Sequence, residues 1–541
     1  MKKSLVCVVS LLVIVSLLAA CAPKATPTAV PPTAVPQPTK PAERQTTANT
    51  GKRYPKLTVA LNADPKDLMP INYNSPSRGD IFQQVFEPLF DFEKGDYLPL
   101  LAKSYKVIDD THWQVPIYDY IYDSAGNHIT ADDVVFSYNY AVESKTVVKY
   151  FLFKSVKKVD NYTVEFEWTG PVNVVGGLEH PWCRTMIFSE KAFKASNFAT
   201  NPVGTGTYVV KEFVSGSKIV LEANDKYWQT DASKINYRHQ RNVQTIEYLV
   251  IPESAQQVLA LQSGTIDFSP AVPAASLADF QDGGKYGQQY DVYSKIERNQ
   301  YILSANSSEN SAFSDINLRL AAFYAIDNEA VAKIALGAIE PAKALGSPGN
   351  DDYLPAWEQQ KTYVNTFDPA KAKEYLAKAS YKGQSLVFLT TTQELYKNMA
   401  TAIQSFLANV GINVELKLVD PASTGNLLTD PKSFDLYLHM IGGGFQVGSW
   451  NRVLNNNEFK NGMSIGFIHD ETMQKLFETA NTAAGHTAEN MTKVHDHIIQ
   501  NAYHKWIGYG KSSAVYTNKI ADLVYREGNT VLPGSCTYYL D

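Results

Sequence analysis

Three stretches of this chain carry residue types that do chemistry in other proteins. Gly462-Met-Ser-Ile-Gly466 spells G-x-S-x-G, with His469 and Asp470 close behind to complete a proton relay. A nucleophile elbow needs a buried strand before it and a helix directly after. Asn455-Asn-Asn-Glu-Phe-Lys-Asn461 precedes it instead, which is loop composition. The match therefore reads as coincidence, and a secreted serine hydrolase stays a distant rival. His495-Asp-His497 and His504 offer imidazoles for a metal. Residues two apart on a helix point to different faces, and no cysteine accompanies them, so solvated helix histidines are expected. Asn201-Pro-Val-Gly-Thr-Gly-Thr-Tyr208 holds only the G-x-G of a phosphate loop, without the lysine or third glycine. It predicts a tight turn into a strand. No catalytic residue, metal or cofactor follows from these patterns.

The stretch Ile441-Gly-Gly-Gly-Phe-Gln-Val-Gly-Ser-Trp-Asn-Arg-Val453 points to binding instead. Glycines such as Gly443 and Gly444 let a ligand approach the backbone and free its N–H groups as donors. Phe445 and Trp450 offer flat apolar faces. Gln446, Ser449 and Asn451 offer neutral hydrogen-bonding groups. The stretch contains no carboxylate. That mixture suits a neutral, hydroxyl-rich guest that stacks on rings.

The elements around it must hold such a loop in place. Phe434 to Met440 is an apolar run of strand character. Ser385–Thr390 reads as a strand, Glu394–Val410 as an amphipathic helix closed by Gly411, and Ile412–Val419 as a strand. This β-α-β crossover predicts a parallel pair, and open α/β sheets bind ligands at the carboxyl ends of their strands. Asp368-Pro369 starts another helix, with Ala372, Tyr375, Leu376 and Ala379 on its core face. Earlier in the chain, residues 57–61 read as a strand and 62–80 as loop. Thr130 and Asp133 form a capping pair for a helix whose core face is Val134, Val135, Tyr138, Ala141 and Val142. Val164–Trp168 alternates as a half-buried strand. Tyr208–Val210 is expected to pair with Lys218–Glu222. Ser254 is expected to cap a helix through Leu261 that Gly264 stops, and Thr265–Phe268 to follow as a strand. Tyr73 and Asn74 fall in the loop after the first strand. Trp182 lies in a break between apolar segments, where it either stacks on a ligand or packs between structural units. Asn299 falls just before a strand at 301–305.

The N-terminus reads as a targeting segment. Lys2 and Lys3 precede an apolar run from Leu5 to Leu18, about 14 residues and too short to span a bilayer. Leu18-Ala-Ala-Cys21 resembles a lipobox, which makes Cys21 the expected lipidation site and residues 1–20 the signal. Residues 22–50 are almost wholly Pro, Thr, Ala and Val, a composition that stays extended. With Cys21 at its head, the segment 21–53 reads as a tether to the outer face of the cytoplasmic membrane. The whole sequence is 44 % hydrophobic and 12 % aromatic, and the remaining chain of about 490 residues is long enough for two or three globular units. The formal charge is −6, or −8 once Lys2 and Lys3 are removed, and no basic block argues for nucleic acid. Cys183 and Cys536 either pair as a disulfide or remain two buried thiols.

Five blocks in order resemble one family: Leu100–Tyr105, Ile129–Phe136, Asn201–Tyr208, Leu259–Phe268 and Asn317–Asp327. They are similar to the signature segments of the family 5 extracellular solute-binding proteins, receptors of ABC importers. The resemblance implies an α/β, two-lobed fold of the periplasmic-binding-protein type (type II, cluster C) with an extra subdomain. Lobe I would comprise residues 54–84, 196–300 and 510–541, the subdomain 85–195 and lobe II 301–509. It also implies a monomer without enzymatic activity that partners permease subunits. In peptide-binding members the region matching 441–453 usually holds an aspartate for the peptide's amino terminus, and here that acid is missing. A neutral oligosaccharide is therefore the leading expectation and an oligopeptide the alternative. The expected ligand contacts are Tyr73, Asn74, Trp182, Asn299, Gly443, Gly444, Phe445, Gln446, Trp450 and Asn451.

Overall fold

Local signals in the chain are mostly obeyed. The computed structural model describes residues 44–541 apart from 71–75, 94–95, 145–152, 171–181, 196, 271, 351, 442–464, 481, 483 and 527–529. Helix Ala131–Glu143 starts where Thr130 and Asp133 predict, the Asp133 carboxylate accepting the Thr130 amide at 2.9 Å. It buries Val134, Tyr138 and Ala141, but Val142 is half exposed, off the core face. Helix Pro369–Lys378 begins with Asp368 as cap and proline in the first turn. Helix Glu394–Val410 has the expected bounds, and Gly411 closes it at φ 97°. Near Gly204 and Gly206 the reason for the glycines is steric. A Cβ there would lie 2.0 Å from the Val85 carbonyl oxygen and 2.3 Å from that of Gln84. The turn exists to let the chain pass the end of helix Pro76–Val85.

That helix is itself a departure, because it begins inside the polar stretch expected to be loop. Pro76 at its start is compatible with a first helical turn. Glu253, not Ser254, is the N-cap of helix Ser254–Gln262. The strand expected at 265–268 shrinks to Phe268–Ser269, because the amides of Thr265 and Ile266 are used to close the helix on the Ala260 carbonyl. The end of the proposed tether is ordered as well. Thr47–Thr50 is a short helix capped by Thr46, and Thr47 Oγ1 accepts the Tyr538 amide at 3.1 Å.

One mixed sheet of eleven strands organises the fold. In chain order these are β1 (Tyr54–Leu61), β2 (Tyr208–Val214), β3 (Lys218–Ala223), β4 (Val243–Val250), β5 (Phe268–Ser269), β6 (Tyr290–Ala305), β7 (Ile339–Pro341), β8 (Leu386–Thr391), β9 (Val414–Val419), β10 (Leu436–Ile441) and β11 (His504–Thr517). The spatial order is β9-β8-β10-β6-β11-β5-β1-β4-β3-β2, with β7 on the flank of β11. As the crossover predicts, β8 and β9 are parallel, and β10 is parallel to β8 on its other side. β1 and β4 are parallel, while β2 and β3 form the expected antiparallel pair. A separate four-stranded antiparallel sheet carries Thr163–Trp168, whose burial alternates.

Apolar packing divides the chain. One core runs from Ile302 to Tyr509. A second joins β1, β3 and β4 to the C-terminal segment, and a third lies between Leu89 and Ile187, closed by Tyr227 and Trp228. Buried charge fastens the second to the third. Arg238 pairs with Asp91 at 3.4 Å, both only 3 % exposed, and donates to Gln83 Oε1 at 2.6 Å. Glu87, wholly buried, accepts from the Tyr227 hydroxyl and from Trp228 Nε1 at 2.8 Å, and burial raises its pKa. Lys505 on β11 is buried too, donating to the carbonyl of Tyr363 at 2.6 Å. No helix among the described residues is long and apolar enough to cross a membrane.

These buried charges give two expected outcomes. Arg238→Met leaves Asp91 buried without its cation and should lower stability by about 3–5 kcal/mol; an unchanged denaturation midpoint would refute the pairing. Burial pushes the Lys505 ammonium down to about 7, partly opposed by Asp327. Above that pH the unfolded chain holds more protons than the folded one. This residue therefore adds stability as pH rises from about 7, and that stability is lost as pH falls through 7. In Lys505→Met the change in melting temperature between pH 7 and 9 should be less positive than in the unaltered protein. Equal slopes would contradict the argument.

Candidate functional site

The register of the central strands sets the site. β6 and β11 run antiparallel side by side through the whole sheet, from the rung Tyr290–Thr517 to the rung Ser304–His504. β1 lies antiparallel to β11 through β5, so its carboxyl end points toward the far half of the sheet. β10 lies antiparallel to β6, so its carboxyl end points back, with Ile441 opposite Gln300. The parallel strands of the two halves thus aim their carboxyl ends at each other across β6 and β11. From the level of Leu61, near Tyr293, to that of Ile441, near Gln300, is roughly 20 Å of extended strand. This is where open α/β sheets bind. β10 ends on this rung, and the glycine-rich stretch follows it in sequence.

Between those ends β6 bulges. Ile296 pairs with Lys511 and Gln300 with Tyr509, so three residues (297–299) oppose Gly510 alone. A Cβ on Gly510 would stand 3.2 Å from that of Asn299, which is why glycine suits the facing position. One face of the crossing strands is filled. Trp506 Nε1 donates to Gln300 Oε1 at 2.6 Å, Gln300 donates to Asn350 at 3.1 Å, and the Tyr509 hydroxyl donates to the Ala344 carbonyl at 2.9 Å. The opposite face carries Asn299, Tyr301 and Met440, because the Gly510 position faces both Asn299 and Tyr301, and Tyr301 pairs with Met440; by alternation along β6 Tyr293 is on that side too, its ring edge-on to Tyr525 at 4.9 Å. Asn299 and Tyr301 are half-buried, and Met440 is 39 % exposed. Tyr396, from helix Glu394–Val410, places its ring 5.7 Å from that of Tyr301. Burial raises the pKa of both hydroxyls, that of Tyr396 with help from Tyr301. They remain neutral donors and acceptors at ordinary pH. Such a floor can stack on flat groups and hydrogen-bond to amides or hydroxyls.

The sequence reading meets this geometry unevenly. Asn299 is on the floor, though within β6 and not before it. Tyr73, Asn74, Gly443, Gly444, Phe445, Gln446, Trp450 and Asn451 lie outside the described residues, as do Ser464 of the supposed elbow and Cys21. Trp182 does not offer a ring to a guest. It is fully buried, with Phe90 at 5.0 Å and Tyr97 and Tyr105 at 5.4 Å, and packs the third core. Solvated helix histidines were the expectation, but His495 and His504 are buried, His497 is half-buried, and the three do not gather. His495 stacks on Trp357 at 4.5 Å, His497 meets Asp470 at 2.7 Å, and His504 is on β11, beside Ser304 at 2.9 Å. Among the described residues no group of acids, histidines and cysteines could hold a metal ion. Cys183 and Cys536 are not joined in a disulfide, and burial pushes the Cys536 thiol up to about 12. Tyr293, Tyr301 and Tyr396 went unnoticed in the sequence, where nothing but membership of strand or helix marks them.

Comparison with known proteins agrees with this geometry. The family model described as bacterial extracellular solute-binding proteins, family 5 Middle, matches residues 96–462. Oligopeptide-binding protein AppA of Bacillus subtilis is 23 % identical over 443 residues, covering 74 % of this chain and 75 % of that protein. Its structure in complex with a nonapeptide gives a TM-score of 0.64 at 19 % identity, over 91 % of this chain and all of the other. Heme-binding protein A of Haemophilus influenzae is 25 % identical over 465 residues, 76 % of this chain and 80 % of that one. The substrate-binding protein CtaP of Listeria monocytogenes gives a TM-score of 0.75 at 21 % identity, over 91 % of this chain and 100 % of that one. Two α/β lobes joined by crossing strands are therefore the fold. The chain belongs to the bacterial extracellular solute-binding proteins of family 5, which bind solutes and are not enzymes.

Proposed function

We propose that this protein is the substrate-binding component of an ABC importer and that it captures a short peptide between its lobes. The carrying observation is the floor itself: opposed strand ends roughly 20 Å apart, with the Asn299 amide and the rings of Tyr293, Tyr301 and Tyr396 between them. An extended peptide presents amides at regular intervals and needs partners of this kind. The nonapeptide held by AppA supports the same reading. In this proposal lobe I comprises 54–84, 196–300 and 510–541, the subdomain 85–195, and lobe II 301–509. The monomer is moored through a lipid on Cys21, and closure about the crossing strands presents it to the permease.

A second reading keeps a neutral oligosaccharide as the guest. It rests on one feature, the absence of any carboxylate between Ile441 and Val453 alongside Phe445 and Trp450.

A thermal-shift panel of tri- to nonapeptides and di- to hexasaccharides separates the two. A guest that binds only the folded protein adds about 2.7 kcal/mol of stability at a hundredfold excess over its Kd. Peptides are expected to raise the melting temperature and sugars to leave it unchanged; the reverse pattern would establish the sugar reading. Asn299→Ala and Trp450→Ala should each weaken peptide binding about tenfold without moving the ligand-free melting temperature. Full affinity in either variant would remove that residue from the site.

A further inference from the structure

Glu297 stands at the middle of the cleft floor with little to neutralise it. Its carboxylate accepts from the Ser512 hydroxyl, its one side-chain partner among the described residues. Ser512 pairs with Lys295, two rungs from the Tyr293–Ala514 pair, so Glu297 lies on the face that carries Tyr293, Asn299 and Tyr301. The residue is only 6 % exposed. Two nearby bases are engaged elsewhere: Lys511 donates to Glu340 at 3.4 Å, and Arg298 Nε donates to the Gly349 carbonyl at 3.3 Å. Lys295, opposite Ser512 on the same face, makes no ion pair with Glu297 among the described residues. A carboxylate this deeply buried needs a cation or several donors, and it has one hydroxyl. Tyr293 lies within reach of its charge, which together with burial raises the pKa of that hydroxyl. Tyrosines thus stand four residues to either side, and their ring faces attract a cation. The loop 441–453 supplies no acid.

We propose that Glu297 is a specificity-determining residue that receives a primary ammonium of the guest, carried by either the amino terminus of a peptide or a lysine side chain. The inference rests on the peptide reading above. It places the counter-charge on strand β6 instead of in the segment 441–453. A charge met there, away from water, is worth more than one at the surface, while the neighbouring rings and amides serve the uncharged remainder of the chain.

Calorimetric titration with matched peptides tests this. Alanine-based tri-, penta- and heptapeptides are prepared with free or acetylated amino termini and with lysine or norleucine at the centre. The unaltered protein should bind one charged form more tightly than its neutral counterpart by a factor on the order of 10 to 100. A loss on acetylation identifies the amino terminus as the source, and a loss on norleucine substitution identifies the side chain. Glu297→Gln should abolish that preference and bind the doubly neutral peptide as the unaltered protein does. Equal affinity of the unaltered protein for charged and neutral forms, or an undiminished preference in Glu297→Gln, overturns the proposal while leaving peptide binding intact. If no peptide binds the unaltered protein, the peptide reading fails and this inference with it. If the variant does not fold, equal affinity of the unaltered protein for the charged and neutral forms still overturns the proposal.

Discussion

Strands β6 and β11 exchange backbone hydrogen bonds from Tyr290–Thr517 to Ser304–His504, and the rest of the fold is built out from that ladder. β10, β8 and β9 extend one end of it and β5, β1, β4, β3 and β2 the other. Side chains of the two halves pack into separate cores, the Ile302–Tyr509 core on one side and the β1–β4 core on the other. A break in the ladder is therefore a break between packed bodies. The bulge at 297–299 is such a break, because residues there have no partner on β11 beyond Gly510. Bulged strands bend where the ladder is interrupted, and a two-lobed binding protein has to bend between its lobes.

The two faces of this crossing are unlike in chemistry. Behind it, Trp506, Gln300, Asn350 and the Ser347 amide form one hydrogen-bonded chain, the Ser347 hydroxyl donates to the Glu297 carbonyl at 2.6 Å, and the Tyr509 hydroxyl separately donates to the Ala344 carbonyl. Fully connected buried networks rigidify what they join. In front, Asn299 and the tyrosine rings are half-buried and Glu297 has one hydroxyl. Polar groups left wanting at a concave surface, next to a rigid support, are what a ligand supplies when it arrives. The buried Arg238–Asp91 pair performs the corresponding supporting role farther out, where the third core joins the second.

Local structure was readable wherever neighbours in sequence decide it. Gly411 marks a helix end because only a left-handed residue closes the helix there. Asp368-Pro369 starts one for equally local reasons. The parallel β8–β9 pair followed from a single crossover. What stayed hidden depends on partners some 200 residues away. Asn299 looked like a residue before a strand because Glu297, Arg298 and Asn299 interrupt the apolar pattern; pairing with β11 makes them a bulge within one. His504 looked like a helix residue, yet the helix ends at Asn501 and the chain turns into β11 through Ala502, at φ 48°. Trp182 was ambiguous because an indole beside a loop reads alike whether it packs or binds, and only the surrounding rings decide it. The segment 441–453 shows its lack of an acid in the sequence alone, whereas nothing local marks Glu297, whose setting depends on Ser512 more than 200 residues away.

The bulge inserts two residues, not one, relative to an unbroken ladder. Side chains alternate along a strand with period two, so an even insertion preserves the sidedness of everything after it. Tyr301 therefore emerges on the same side as Tyr293, and the halves share one continuous inner wall. Losing a single residue from 297–299 would turn Tyr301 outward and the apolar Ile302 inward, exchanging wall for core along the rest of β6. The length of this kink is thus held to a parity, and removing or adding one residue there disturbs more of β6 than replacing one.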